Sequence, residues 1–126
     1  MKKRTFEEKQ YDLVIFGATG FTGKLAAEYL AKQYGTSISW AIAGRNSSKL
    51  QRVKSDLVQI NPDVKDLDII MSDSKNMDHL IAMANNTRVV ISTVGPFDRY
   101  GSQLVATCAF FGTNYCDITG EIHWLR

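Results

Sequence analysis

Three glycines spaced three apart, Gly17, Gly20 and Gly23, follow the continuous apolar run Leu13 to Phe16 and open into a helical pattern. Gly17 permits a sharp turn out of a strand, and Gly20, without a Cβ, lets the N–H groups of the following helix approach an anion closely. Gly23 lets that helix pack tightly on the strand. Ala18, Thr19, Phe21 and Thr22 complete the run, the two threonines adding hydroxyl donors. The chemistry this order suits is a phosphate held on bare backbone at a helix N-terminus, as in the pyrophosphate of a dinucleotide. A P-loop, G-x-x-x-x-G-K-[ST], is the nearest rival, because Gly23-Lys24 fits its end. It fails twice: Ala18 stands where its first glycine belongs, and Leu25 stands where a magnesium-binding hydroxyl is required. A glycine-rich turn with no ligand is the plainer alternative, and the strand before and amphipathic stretch after it argue against that.

In a parallel sheet the ligand lies beyond the carboxyl ends of the strands, so residues just after each strand are the next candidates. Gly44-Arg45-Asn46 follows the second strand, where a dinucleotide domain usually carries an acid for the ribose 2′-OH. The acid is missing. An arginine there would pair with a 2′-phosphate by charge-assisted hydrogen bonds, which favours NADP over NAD. Ser72 and Asp73 follow the third strand and could bond an adenine amino group; Thr93, Val94, Gly95 and Pro96 follow the fourth and would lie along the middle of the cofactor. Each has a structural alternative. Arg45 could be an exposed arginine beginning a helix, Asp73 a helix N-terminal charge or cap, and Gly95-Pro96 a rigid turn.

Positioning these residues requires alternating strands and helices, the pattern of an α/β domain with a parallel sheet. The first helix spans about Phe21 to Tyr34, with Leu25/Tyr29 and Ala26/Leu30 as pairs toward the sheet and Gly35 as the stop. Ile38, Trp40 and Ile42 alternate with Ser39, Ala41 and Ala43, a second strand with one bulky and one small face. Ser47 caps a second helix whose stripe is Leu50, Val53 and Leu57, ending before Pro62. Leu67 to Met71 is a third strand, and Ser74 caps a third helix with the stripe Met77, Leu80, Ile81 and Ala84, closed by Asn85-Asn86. Val89 to Val94 is the fourth strand. Ser102 to Phe111 is a fourth helix stopped by Gly112, and Tyr115 to Ile118 is a fifth strand. The reading is a doubly wound Rossmann-like parallel sheet, truncated after its fifth strand, because the chain ends at Arg126 in the opening turns of another element. A fragment of a longer protein is the expectation.

At 126 residues the chain suits one domain. Residues 1–10 read as a flexible N-terminal segment and residues 11–126 as the dinucleotide domain. Its 44% hydrophobic and 22% charged residues are those of a soluble globular protein, and a net charge of +2 names no partner. The basic cluster Lys2-Lys3-Arg4 reads as a solvated tail rather than a nucleic-acid or lipid anchor. No run approaches transmembrane length and no secretory signal is present, which points to the cytoplasm. Cys108 and Cys116 have no zinc-site spacing and read as reduced, mostly buried apolar residues; no metal is expected.

Hydride transfer also needs a proton donor or acceptor. No tyrosine has the lysine four residues on that marks a short-chain dehydrogenase. His79 reads as a boundary residue of the third helix, while Glu121 and His123 are better placed to approach a substrate. Asp117 reads as a loop-orienting residue. Trp40, Phe110 and Phe111 read as core, and Trp124 as exposed.

Four blocks together, Gly17-Ala-Thr-Gly-Phe-Thr-Gly23, Ala43-Gly-Arg45, Thr93-Val-Gly-Pro-Phe97 with Tyr100-Gly101, and Tyr115-Cys-Asp-Ile-Thr-Gly-Glu121, resemble the N-terminal NADP-binding domain of saccharopine dehydrogenase-like oxidoreductases. The resemblance covers about Tyr11 to the C-terminus. Within the group the chain is most similar to the animal branch, whose relatives include bacterial trans-acting enoyl reductases. The resemblance implies NADP as cofactor, a link to lipid or glycolipid metabolism, and association with lipid droplets or membranes. It also implies a second region past Arg126 holding a small-molecule or lipid-like substrate, so that this chain alone would bind cofactor without turning over. The alternative from a different class is a non-catalytic nucleotide-binding or redox-sensing interaction module.

Overall fold

The computed structural model describes residues 2–73, 75–93 and 102–117. Each of the first four strands is followed by a helix that returns the chain to the same end of the sheet, giving β1 (Tyr11–Phe16), α1 (Phe21–Gln33), β2 (Trp40–Gly44), α2 (Ser47–Ile60), β3 (Asp68–Met71), α3 (Met77–Asn85), β4 (Thr87–Ser92), α4 (Ser102–Phe110) and β5 (Asn114–Asp117). The five strands are all parallel in the order β3-β2-β1-β4-β5. The chain therefore winds outward from β1 to one edge, then crosses back to β4 and winds to the other. This is the doubly wound Rossmann-like sheet, and its switch point lies between β1 and β4.

Alternation along the strands sends side chains into two separate cores. Ile15, Trp40 and Ile42 pack with Ala27, Leu30, Ala31, Leu50, Val53 and Leu57 of α1 and α2. Val14, Phe16, Ala41, Ala43 and Val90 pack with Leu80, Met83 and Ala84 of α3 and Leu104 and Cys108 of α4. The bulky and small faces expected of β2 are the two sides of this division. The α2 stripe is buried as expected, and Trp40 donates its indole N–H to Gly35 O at 2.8 Å.

Several local expectations change. Leu25 and Tyr29 face solvent rather than the sheet, because Gly23, Ala27, Leu30 and Ala31 form the buried face of α1. Small residues win that face since the helix crosses β1 closely. Asn46, not Ser47, caps α2, its Oδ1 accepting from Lys49 N at 3.0 Å. Asn76 caps α3 in the same way through His79 N at 3.2 Å, and Ser74 lies outside the described residues. In both, asparagine supplies the carbonyl oxygen that an N-cap needs. Phe110 is exposed while Phe111 is buried, and Cys116 is exposed while Cys108 is buried, its thiol pushed up to about 12 by desolvation. Glycines with φ of +55° and +65°, Gly35 and Gly112, follow α1 and α4 as their expected stops.

The stretch ahead of β1, read from sequence as a flexible tail, makes specific contacts. Lys9 is 4% exposed, and its ammonium shares its three N–H donors among Ala84 O, Thr87 O, Phe111 O and Thr113 Oγ1, at 3.0, 3.2, 2.7 and 2.5 Å. Carbonyls at the C-terminal ends of α3 and α4 converge there, and a cation is what they favour. Asn85 bonds Arg4 N and Lys2 O, and Arg88 donates to Phe6 O while its guanidinium lies 5.1 Å from the Phe6 ring centre. No helix among the described residues is long and apolar enough to cross a membrane.

Candidate functional site

Strand register sets the site. Ser92, Phe16, Ala43 and Ile70 lie in one row across β4, β1, β2 and β3. The candidates Gly17 to Gly23, Arg45, Ser72 and Asp73, and Thr93 all leave the sheet just past this row, at its C-terminal edge. The two central strands end at the switch point, so the glycine turn and Thr93 flank the crevice where such sheets take ligands.

The turn itself is held from behind. Gly17 has φ +92°, a conformation that a side chain would strain, and its N–H donates to Ala43 O at 2.9 Å. Its carbonyl accepts from Gly20 N at 3.1 Å, closing the turn. Gly23 is buried beneath: a Cβ there would collide with Gly17 O and lie 2.8 Å from Thr93 Oγ1 and 2.9 Å from Ala18 Cα. A Cβ on Gly20 would meet Gly17 O alone, at 3.5 Å. Gly23 is thus demanded by packing, whereas the space outside Gly20 is open. Gly20 is also the N-cap of α1 and brings no side chain to its first turn, so the helix presents N–H groups without a side-chain cap at this point. Thr19, Phe21 and Thr22 are exposed around it, Phe21 at 83%.

A backbone cradle with open space in front and a positive helix end fits a pyrophosphate. A P-loop does not fit. The ammonium of Lys24 is turned away onto Asp56 of α2, at 2.7 Å, rather than into the turn.

Arg45 is exposed where β2 runs into α2 and makes no ion pair among the described residues. Asn46, Ser47 and Ser48 beside it are exposed too. At the end of β3, Ser72 is 1% exposed and its Oγ has no partner among the described residues. A buried hydroxyl without a partner is costly, and none of the described residues offsets that cost. Asp73 is engaged locally: its Oδ1 accepts from Lys75 N at 2.9 Å, and its N–H donates to His79 Nδ1 at 3.1 Å. His79 thereby holds the loop after β3, a link that the spacing of the sequence did not signal because it joins a helix to the loop before its cap.

Thr93 faces inward, toward the turn. Its N–H donates to Phe16 O at 2.9 Å, and its Oγ1 lies 2.9 Å from Gly17 O and 3.2 Å from Phe16 O. Val94, Gly95 and Pro96 lie outside the described residues, as do Glu121, His123 and Trp124 and the side chain of Asp117. Among the described residues no cluster of His, Cys, Asp and Glu could hold a metal ion. A cavity of about 240 Å³ sits at the opposite, N-terminal edge of the sheet, bordered by Tyr11, Trp40 and Asp68. The Tyr11 hydroxyl donates to Asp68 Oδ2 at 2.6 Å there, and burial together with this bond pushes its pKa up to about 12. That pair is internally satisfied and lies at the end of the strands away from the glycine turn.

Comparison with known proteins agrees with the geometry. A trans-acting enoyl reductase of Mycobacterium leprae is 44% identical over 120 residues, covering 95% of this chain and 28% of the relative. The chain thus spans a little over a quarter of the length of that relative. A saccharopine dehydrogenase (L-Glu forming) of Saccharomyces cerevisiae superposes with a TM-score of 0.66 at 18% identity, over 91% of this chain and 24% of the other. A structure of AtPrR2 with NADP+ and (+)pinoresinol superposes with a TM-score of 0.58 at 13% identity, over 85% and 36%. These two show a shared fold. The saccharopine dehydrogenase NADP binding domain model matches residues 13–123, which takes in the glycine turn, the ends of all five strands and the alternation between them. Sheet order, turn and match together make this chain a member of the saccharopine dehydrogenase NADP binding domain family, whose cofactor is a nicotinamide dinucleotide.

Proposed function

We propose that this chain binds NADP(H) across the C-terminal ends of β1, β2 and β4 and serves as the cofactor domain of an oxidoreductase acting on a lipid-like substrate. The observation that carries the reading is the glycine turn at the switch point, closed behind by Gly23 and open in front of Gly20. In this proposal the turn from Gly17 to Gly23 holds the pyrophosphate through the N–H groups its own bonds leave over, with Ala18 behind and the Thr19 and Thr22 hydroxyls and the Phe21 ring at its rim. Arg45 pairs with the 2′-phosphate, favouring NADP over NAD. Ser72 and Asp73 border the adenine, and Thr93 with Val94, Gly95 and Pro96 borders the middle of the cofactor. When bound, the dinucleotide supplies or accepts a hydride. The residues described here bind and orient it.

The relatives' name, trans-acting enoyl reductase, supports an enoyl-bearing substrate, and the lipid-like class is our extension of it. The share of those relatives that the chain spans places the substrate's own contacts outside this proposal. Titration of the purified chain with NADPH and, separately, NADH tests the cofactor reading. NADPH is expected to bind more tightly, and Arg45→Asp to erase that preference while leaving NADH affinity within about twofold, a change worth under ~0.5 kcal/mol. Absence of binding to either at millimolar concentration would overturn the proposal. Equal affinity for both would remove the role given to Arg45.

A further inference from the structure

We infer that Thr93 is a positioning residue whose hydroxyl locks the Gly17–Ala18 peptide with its carbonyl drawn into the protein, away from the face offered to the dinucleotide. The inference rests on the cofactor reading above and assigns to Thr93 a part other than contact with the ligand.

A threonine hydroxyl has one hydrogen to donate. Phe16 O and Gly17 O each accept one backbone N–H, from Thr93 and from Gly20, and Gly17 O is the nearer of the two to Oγ1, at 2.9 against 3.2 Å. The hydroxyl hydrogen therefore goes to Gly17 O. That carbonyl accepts from Gly20 N as well, so both its lone pairs are used and both bonds draw it into the protein. On the other side of the same peptide, Ala18 N lies 3.3 Å from Ala43 O, with Gly17 N on that oxygen at 2.9 Å. The peptide is pinned at both ends, by β4 and by β2.

The consequence is electrostatic. Glycine at φ +92° has the freedom to turn its peptide over, and the flipped carbonyl would set a negative dipole in front of an anion. Thr93, just past β4, removes that option from the carbonyl side of the peptide. The absence of a Cβ at Gly23 is what admits the Thr93 hydroxyl to this position, since a Cβ would come within 2.8 Å of Oγ1. The third glycine of the run and the threonine after β4 are thus two halves of one device.

Three variants separate the hydroxyl from the methyl: Thr93→Ser keeps only the hydroxyl, Thr93→Val only the bulk, and Thr93→Ala neither. NADPH affinity is expected to follow the hydroxyl, with Thr93→Ser close to the parent and Thr93→Val and Thr93→Ala weaker by about tenfold. Amide hydrogen exchange at Gly20, measured without cofactor, is expected to quicken in Thr93→Val and not in Thr93→Ser. Affinity that follows the methyl, with Thr93→Val like the parent and Thr93→Ser weakened, would overturn the inference. So would unchanged Gly20 exchange in Thr93→Val. If the parent chain fails to bind NADPH, the cofactor reading falls while the exchange comparison still decides whether Thr93 holds the peptide. Should Thr93→Val not fold, Thr93→Ser against Thr93→Ala reads the same contrast.

Discussion

Gly20 and Gly23 sit three residues apart in one run yet answer to different demands. Gly23 is enclosed by Gly17 O, Thr93 Oγ1 and Ala18 Cα, so Gly23→Ala is expected to lower stability by about 1–3 kcal/mol through overpacking. Gly20 has only Gly17 O near it, so Gly20→Ala is expected to change stability by under ~1 kcal/mol while weakening NADPH binding, because the new methyl occupies the face offered to the phosphate. Urea unfolding alongside cofactor titration checks the pair; a Gly20→Ala chain that binds as the parent does would remove the pyrophosphate from that face. The glycine spacing itself was legible in the sequence, since three positions without a Cβ leave a plain mark. The division of labour, Gly23 for packing and Gly20 for open approach, was legible too; the part played by Thr93 Oγ1 in enclosing Gly23 was not, because it comes from the residue after β4. Asp73 is not the cap of α3, which is Asn76; its carboxylate bonds Lys75 N instead, a local contact that the sequence did not single out.

At the scale of elements, Asp12 ties three strands together at the end of the sheet remote from the glycine turn. Its carboxylate accepts from Ser39 N, just ahead of β2, at 2.9 Å and from Arg88 Nη1 of β4 at 2.5 Å. The Ser39 N–H foremost, with the Arg88 guanidinium, holds the Asp12 carboxyl below the usual carboxylate range. A carboxyl depressed in the folded state contributes stability above its unfolded value, near pH 3.9, and loses it as pH falls through the folded value. Asp12→Asn is therefore expected to cost up to about 1 kcal/mol at pH 7, since the side chain is partly exposed, and to shrink that difference toward zero at pH 2–3. Urea unfolding of both chains at the two pH values measures it, and a difference independent of pH would exclude the carboxylate's charge as its source. Elements were the most legible level of this chain. Periodicity places all five strands and four helices. It fails at the caps and on α1, where the buried face is set by small residues that hydrophobic spacing passes over in favour of Leu25 and Tyr29.

Across the whole molecule, Lys9 joins the start of the chain to the C-terminal ends of α3 and α4, more than seventy residues away. Burial lowers the Lys9 pKa, yet the four oxygens around the ammonium leave few acceptors there without a donor. Lys9→Met keeps the length and removes every donor, leaving buried carbonyls without it; the expected loss is about 1–3 kcal/mol in urea unfolding. Because the Lys9 cage lies at the opposite edge of the sheet from the glycine turn, NADPH affinity of the folded Lys9→Met chain is expected to stay within about twofold, or under ~0.5 kcal/mol. A larger fall would show that the N-terminal contacts reach the cofactor edge.

The sequence by itself determined the alternation of strands and helices, the family resemblance and the place of the glycine turn. Those depend on local periodicity and on residue types whose backbone freedom is intrinsic. Only the tertiary structure decided that the tail ahead of β1 is fastened by Lys9, that Thr93 faces the turn, and that Ser72 Oγ is buried without a partner among the described residues. Each of these is a meeting between positions far apart in the chain. Hydrogen-bond partners and steric limits between strands become defined only once the sheet has set its order and register.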